Sequence, residues 1–162
     1  MCKCGRPIQG LLHDLSKFTP TEFIESVKFY QGNQSPINVA RDVQGYSDAW
    51  LHHKGRNKHH TQYWVDLSFG KITCAEMPWK YLVEFICDGI GAGKAYARNQ
   101  GKEWTEQDPL SYWETKDQYS IINEKTKAKI RYYYEDIANR GWDLVARDIR
   151  KKGDYYESTN CN

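Results

Sequence analysis

Residues 77–97 read MPWKYLVEFICDGIGAGKAYA, and the reading of this stretch decides the fold. Pro78 stands where a helix opens at no cost, because a first-turn residue needs no N–H donor. Tyr81, Leu82, Phe85 and Ile86 then repeat at the spacing of one apolar helical face, which predicts a strongly amphipathic helix. It either ends at Asp88-Gly89 or continues through Gly91-Ala92-Gly93 to Tyr96, where small residues would allow close helix packing.

Upstream, Ile8, Leu11, Leu12 and Leu15 predict a helix over 8–17 with that face inward and His13 and Asp14 flanking it. Thr19 as N-cap, Pro20 at the first helical position and Glu22 closing a capping box predict the next helix. Phe23, Ile24, Val27 and Tyr30 carry its apolar side. Residues 47–54 read as helical, with Ala49 and Trp50 packing inward, and Gly55 and Asn57 interrupt them. A further helix is expected from near Lys58, carrying His59, His60, Tyr63, Trp64 and Leu67 to a turn at Gly70-Lys71-Ile72.

Downstream, 99–109 is polar and reads as a loop, and 110–116 as a short helix. Residues 123–152 are helical in pattern, with Ile130, Tyr133, Tyr134, Ile137, Leu144, Val145 and Ile149 as the buried stripe and Gly141 dividing it. A frayed tail is expected after Gly153. No set of alternating strands is evident. The expected fold is all-α, one helical domain over 1–162 with a metal-site core at about 8–97 and a C-terminal helical segment at about 110–152.

At 162 residues the chain is long enough to bury an adequate core. With 23 basic against 21 acidic residues, it has no polyanion-binding bias, which argues against nucleic acid as partner. A formal charge of +2 permits a phosphorylated small molecule. There is no apolar run of about 18 residues and hence no membrane partner is expected. The start, MCKCGRP, lacks the apolar stretch of a signal peptide. Five cysteines at 2, 4, 74, 87 and 161 form no disulfide framework, so a reducing cytoplasm is the expected location. Cys2 and Cys4 read as apolar or unstructured before they read as ligands.

All five histidines fall at 13, 52, 53, 59 and 60. Imidazoles gathered in this way beside an aspartate point to a metal site, and the donors suit Mn, Fe, Co, Ni or Zn as one or two ions. Lys17 follows His13 by one helical turn, where a cation could meet a phosphate held by the metal. Asp88 follows Glu84 by one turn on the later amphipathic helix. Glu84 itself reads as a surface residue or as a partner that orients a ligand.

His13-Asp14-Leu15-Ser16-Lys17 resembles the HD-x-x-K signature of the HD-domain metal-dependent phosphohydrolases, which include the HD-GYP group. The resemblance implies an HD-like helical fold with the His-Asp doublet on one helix and a further aspartate on a later one. On this chain His13 and Asp14 match the doublet, and Asp88 is the candidate for the later aspartate. One or more of His52, His53, His59 and His60 would be the intermediate ligands. The longer pattern HDLSKF, HHKGRNKHHTQYW and MPWKYLVEFICDGIGAGKA, over about 11–97, is also similar to an uncharacterised bacterial and phage family known only as a domain of unknown function. One departure is plain. The HD superfamily places another histidine on a helix before the doublet, and residues 1–12 hold none. Either the chain is shortened at its start, or another residue such as Cys2 or Cys4 replaces that ligand, or the site is degenerate.

The resemblance implies metal-assisted hydrolysis of a nucleotide or other small phosphoester. The metal would polarise the phosphoryl oxygen and lower the pKa of a water toward ~7. Asp14 would hold that water, and Lys17, Arg56 and Lys58 would neutralise phosphate charge. Asn57 would orient a ligand histidine or donate to substrate, and His53 or His60 would serve as general acid. Two other classes compete. One is a degenerate HD-like domain that binds a nucleotide or a protein. The other is a His-Asn-His nuclease, which ranks lower because the flanks of 52–60 do not read as strands.

Overall fold

The computed structural model describes residues 1–32 and 34–159, with side chains through Lys152. Helices α1 (Pro7–Leu12), α2 (Pro20–Lys28), α3 (Pro36–Gln44) and α4 (Asp48–Arg56) are followed by a hairpin of β1 (Val65–Ser68) and β2 (Lys71–Cys74). Helices α5 (Trp79–Asn99), α6 (Asp108–Asp117), α7 (Glu124–Arg140) and α8 (Trp142–Thr159) complete the chain. Short 3₁₀ turns lie at Cys2–Cys4, Leu15–Phe18 and Thr61–Trp64. The domain is thus almost entirely helical, with one minor two-stranded sheet. No helix among the described residues is long and apolar enough to cross a membrane.

The apolar core belongs to the C-terminal helices. Leu82, Val83, Ile86 and Ile90 of α5 meet Trp113 of α6, Ile130, Tyr134 and Ile137 of α7, and Val145 and Ile149 of α8. Helix α5 runs unbroken through Asp88-Gly89, the longer of the two expected forms. Gly89 lets α7 come close, since a Cβ there would stand 2.7 Å from the Tyr134 hydroxyl. Gly141, at φ 85°, separates α7 from α8 as expected. Helix α8 continues to Thr159 where a frayed tail was expected, and residues 160–162, with Cys161, lie outside the described residues.

The N-terminal half departs from the apolar-face reading. Helix α1 stops at Leu12, and Ile8, Leu11, Leu12 and Leu15 are exposed. The inward positions go to His13 and Asp14 instead, both half-buried. Helix α2 is turned over in the same way. Phe23, Ile24, Val27 and Tyr30 face solvent, whereas Glu22 is 3% exposed and Phe29 is buried. Thr19 does precede α2, but no side-chain cap forms, and its Oγ1 donates to the Ser16 carbonyl at 2.6 Å. Glu22 therefore closes no capping box.

The inverted face of α2 supports α4. Glu25 accepts from the Ser47 hydroxyl and from the backbone N–H groups of Asp48 at 2.9 Å and Ala49 at 3.2 Å. Ser47 also accepts from Trp50 N–H at 3.0 Å, so the first-turn donors that a helix leaves unpaired find oxygen. The helix expected from Lys58 to Leu67 does not form. The chain makes one 3₁₀ turn at Thr61–Trp64 and then the hairpin, with Leu67 opposite Ile72. Phe69 at φ 50° and Gly70 at φ 75° give the two positive-φ positions of a tight hairpin turn.

These placements separate two isoleucines. Ile137→Ala, fully buried on α7, is expected to cost about 2–5 kcal/mol. Ile24→Ala, on the solvent face of α2, should stay within about 0.5 kcal/mol of the parent. Urea denaturation of both variants checks the orientation of α2, and a loss at Ile24 as large as that at Ile137 would contradict it.

Candidate metal centre

Four segments converge between α2 and α5. The link between α1 and the 3₁₀ turn at Leu15–Phe18 brings His13 and Asp14, α4 brings His52 and His53, the loop after α4 brings His59 and His60, and α5 brings Glu84 and Asp88. Trp64 Nε1 donates to the Lys58 carbonyl at 2.8 Å and holds that loop. The rings of His59 and His60 lie 4.2 Å apart, and Trp50 closes the side, its ring edge-on to His60 at 4.9 Å.

Two groups of donor atoms result. His53, His59 and His60 each offer one within 4.8 Å of the others, and so do His13, Asp14 and Asp88. Asp14 reaches both groups. Its Oδ1 lies 3.5 Å from His53 Nε2 and 3.8 Å from His59 Nε2, and its Oδ2 lies 3.4 Å from His13 Nε2. His13 Nε2 is 3.5 Å from Asp88 Oδ1. Donors arranged tetrahedrally about a cation at 2.0–2.1 Å stand about 3.4 Å from one another, so these separations suit coordination.

Burial sharpens the reading. Asp14 Oδ1, His59 Nε2 and His60 Nε2 are buried and have no hydrogen-bond partner among the described residues. A buried polar atom left unpaired costs about 1–3 kcal/mol, and three converging on one another call for a shared partner. A divalent cation supplies one, and the donor set fits it. These clusters of histidine and aspartate could coordinate a divalent metal ion.

The far side is held as well for three of the four rings. His53 Nδ1 is 2.8 Å from Glu22 Oε2, and His59 Nδ1 is 3.0 Å from Glu84 Oε1. His13 Nδ1 donates to the Gly10 carbonyl at 2.7 Å. In each case Nδ1 faces an oxygen and Nε2 faces the cluster, the arrangement by which outer partners orient metal-binding imidazoles. His52 joins neither group, and its Nδ1 lies 2.6 Å from Glu22 Oε1. Asn57 is buried, donating to the Ser16 hydroxyl at 2.7 Å and the His53 carbonyl at 2.9 Å, and so fixes the C-terminal turn of α4.

Charge favours a cation. Burial opposes ionisation of Asp14, but Lys17, His13 and His53 outweigh it and hold the carboxyl below its ordinary range. Glu22 and Glu84 are lowered in the same sense, against burial, by hydrogen bonds from His52 and His53 and from His59 and Gln9. Burial, then His59 and His53, push His60 down to about 3. It is therefore neutral near pH 7, a lone-pair donor without the proton that a general acid needs.

The remaining expected residues lie around this centre. Lys17 Nζ donates to Asp14 Oδ2. Arg56 and Lys58, both exposed, line a groove beside His13. Cys4 joins neither donor group, since it is buried with its Sγ 3.6 Å from that of Cys87, and Cys2 is exposed. The sequence reading missed the part played by Glu22. Its one signal was the polar set Glu22, Glu25 and Ser26 at helical spacing, opposite an apolar set of equal regularity.

Glu84→Gln and Glu22→Gln should each weaken divalent metal binding by about 10–100-fold while the far-ultraviolet dichroism keeps its helical shape. Titration with Mn²⁺ or Zn²⁺ measures this, and parental affinity in both variants would remove the carboxylates from the centre.

Among curated proteins and among solved structures, no significant match to the chain is found. Residues 1–136, the whole of the centre included, match the Family of unknown function (DUF5662), and the chain belongs to that family.

Proposed function

We propose that this protein is a metal-dependent phosphohydrolase with an HD-like centre, acting on a nucleotide or another small phosphoester. The observation that carries the reading is the convergence of buried, unpartnered donor atoms from Asp14, His59 and His60 beside a groove that holds Arg56 and Lys58. A purely structural metal site closes its ligand set, whereas a catalytic one keeps a position open to solvent. Asp14 and Asp88 are only partly covered, with side chains 17% and 32% exposed, which supports an open side.

His53, His59 and His60 with Asp14 would hold one ion, and His13 and Asp88 with the other oxygen of Asp14 a second. A divalent ion bound there supplies Lewis acidity toward a phosphoryl oxygen and acidifies water. The chain does the rest. The Asp14 carboxylate accepts a hydrogen bond from the attacking water and orients it. Lys17, which donates to the Asp14 carboxylate, would turn to the phosphate of a bound substrate once a cation holds that carboxylate. Arg56 and Lys58 offset charge that builds on the departing oxygen. His60 remains neutral and serves the cation. The cytoplasm is the proposed location.

Metal content per chain, measured by mass spectrometry on untagged protein, tests the centre. One or two equivalents are expected in the parent, and loss in His13→Ala and Asp14→Ala with helical content kept. Equal metal in all three sinks the assigned site. Because the cation binds only the folded chain, saturating metal should also raise the melting temperature, and a chelator should reverse the rise.

Release of phosphate from nucleotides and small phosphoesters tests the reaction. Lys17→Ala should keep its metal and lose at least about tenfold in kcat/KM, corresponding to roughly 1.4 kcal/mol of transition-state stabilisation. Metal bound without hydrolysis of any such ester would replace the enzyme with a ligand-binding domain.

A further inference from the structure

Beside the donor groups lies a groove of about 470 Å³ whose lining includes His13, Ile8 and Tyr81 together with three cations, Arg56, Lys58 and Lys80. The cations come from separate places in the chain. Arg56 ends α4, Lys58 follows it in the loop, and Lys80 stands in the first turn of α5. Two of them nevertheless meet at one ring, for Lys58 Nζ and Lys80 Nζ lie 5.7 and 5.6 Å from the centre of Tyr81, and Arg56 lines the same groove.

None of the three forms an ion pair with a carboxylate among the described residues, whereas Lys17, Lys127, Lys129, Arg131 and Arg140 all do. The one carboxylate in the lining is Glu84, which is buried and committed to His59 and Gln9. Three like charges held together repel one another, so an arrangement of this kind is relieved by a ligand that carries several negative charges. A single phosphoryl group at the metal centre, shared among Lys17, Arg56 and Lys58, leaves Lys80 and the rest of this groove's positive charge uncompensated. His13 belongs to both the groove and the donor groups, which makes the two continuous.

We propose that the groove takes the remainder of a substrate that bears a second phosphoryl group: a nucleoside phosphorylated at two positions or in a chain, rather than a simple phosphomonoester. Ile8 and Tyr81 face its apolar, planar part, and Lys58, Lys80 and Arg56 its second phosphate. The placement of the other phosphate at the metal centre rests on the phosphohydrolase reading. In that reaction the water oxygen bonds to phosphorus, the ester P–O bond breaks, and the leaving oxygen takes up a proton released by the water. The second phosphate stays on the product in the groove.

Calorimetric titration of the metal-free protein in chelator separates the groove from catalysis, with adenosine 3′,5′-bisphosphate and adenosine 5′-monophosphate as probes. The parent should bind the bisphosphate at least about tenfold more tightly, with a preference that shrinks as salt is raised. The double variant Lys58→Gln, Lys80→Gln changes only exposed side chains and should bring the preference below about threefold. Equal affinity of the parent for the two probes overturns the proposal, as does a preference that survives the double variant. The same probes are then given to the metal-loaded protein. A binding preference without phosphate release upholds the groove and removes the hydrolase. Hydrolysis of both probes with equal binding upholds the hydrolase and removes the groove.

Discussion

Glu22 and Glu84 are carboxylates buried in a protein interior, and the N-terminal half of this fold is arranged so that they do not stand alone. An ionised carboxylate taken from water is costly unless it meets charge and hydrogen-bond donors. Here each meets imidazole. Glu22 spans His52 and His53 with its two oxygens, and Glu84 meets His59 and Gln9. The same contacts turn His53 and His59 so that their second nitrogens face Asp14. One requirement, the pairing of two buried glutamates, therefore sets the rotation of α2, the position of the loop after α4 and the direction in which the donor atoms point.

The two halves of the chain are consequently held by different forces. Helices α5 to α8 share an apolar core in which Leu82, Ile86, Ile130, Ile137 and Val145 are wholly buried, so area removed from water stabilises them. Among the described residues, the separate apolar cluster of the N-terminal half comprises only Phe29, Val39 and Ala40. Helices α2 and α4 are joined instead through Glu22 and Glu25, and three donor atoms beside them lack a partner among the described residues. A polar interior that is satisfied only in part destabilises more than an apolar one. The cation that completes it would thus contribute to folding as well as to chemistry, and α5 carries this coupling because it offers Ile86 to the core and Glu84 and Asp88 to the centre.

Much of the helical framework was legible in residue spacing. The α5 and α7 stripes, the α8 stripe except for Leu144, which is exposed where burial was expected, the break at Gly141 and the start of α2 at Pro20 all follow from periodicity and from the special backbone of proline and glycine. The inversion of α1 and α2 was not legible. An amphipathic helix has two faces of equal regularity, and periodicity does not say which one meets the protein. The usual choice of the apolar face fails where the surface to be met is itself polar, as it is for Glu22 against His52 and His53. The hairpin after Trp64 escaped because its strands are only four residues each and their side chains are mostly exposed, so no buried alternation marks them.

From the sequence alone came the chemistry: five histidines confined to two stretches, an Asp beside the first, and a second Asp one helix later. Residue type sets what an imidazole or carboxylate can bind, and that does not depend on the fold. Tertiary structure decided the selection. Of four histidines within nine residues, it turned His53, His59 and His60 toward one another and gave His52 to Glu22 alone. It also let Asp14 serve both donor groups and brought Lys80 to Lys58 across the ring of Tyr81. Distances of 3–4 Å between residues dozens of positions apart arise from packing, and packing is a property of the whole chain.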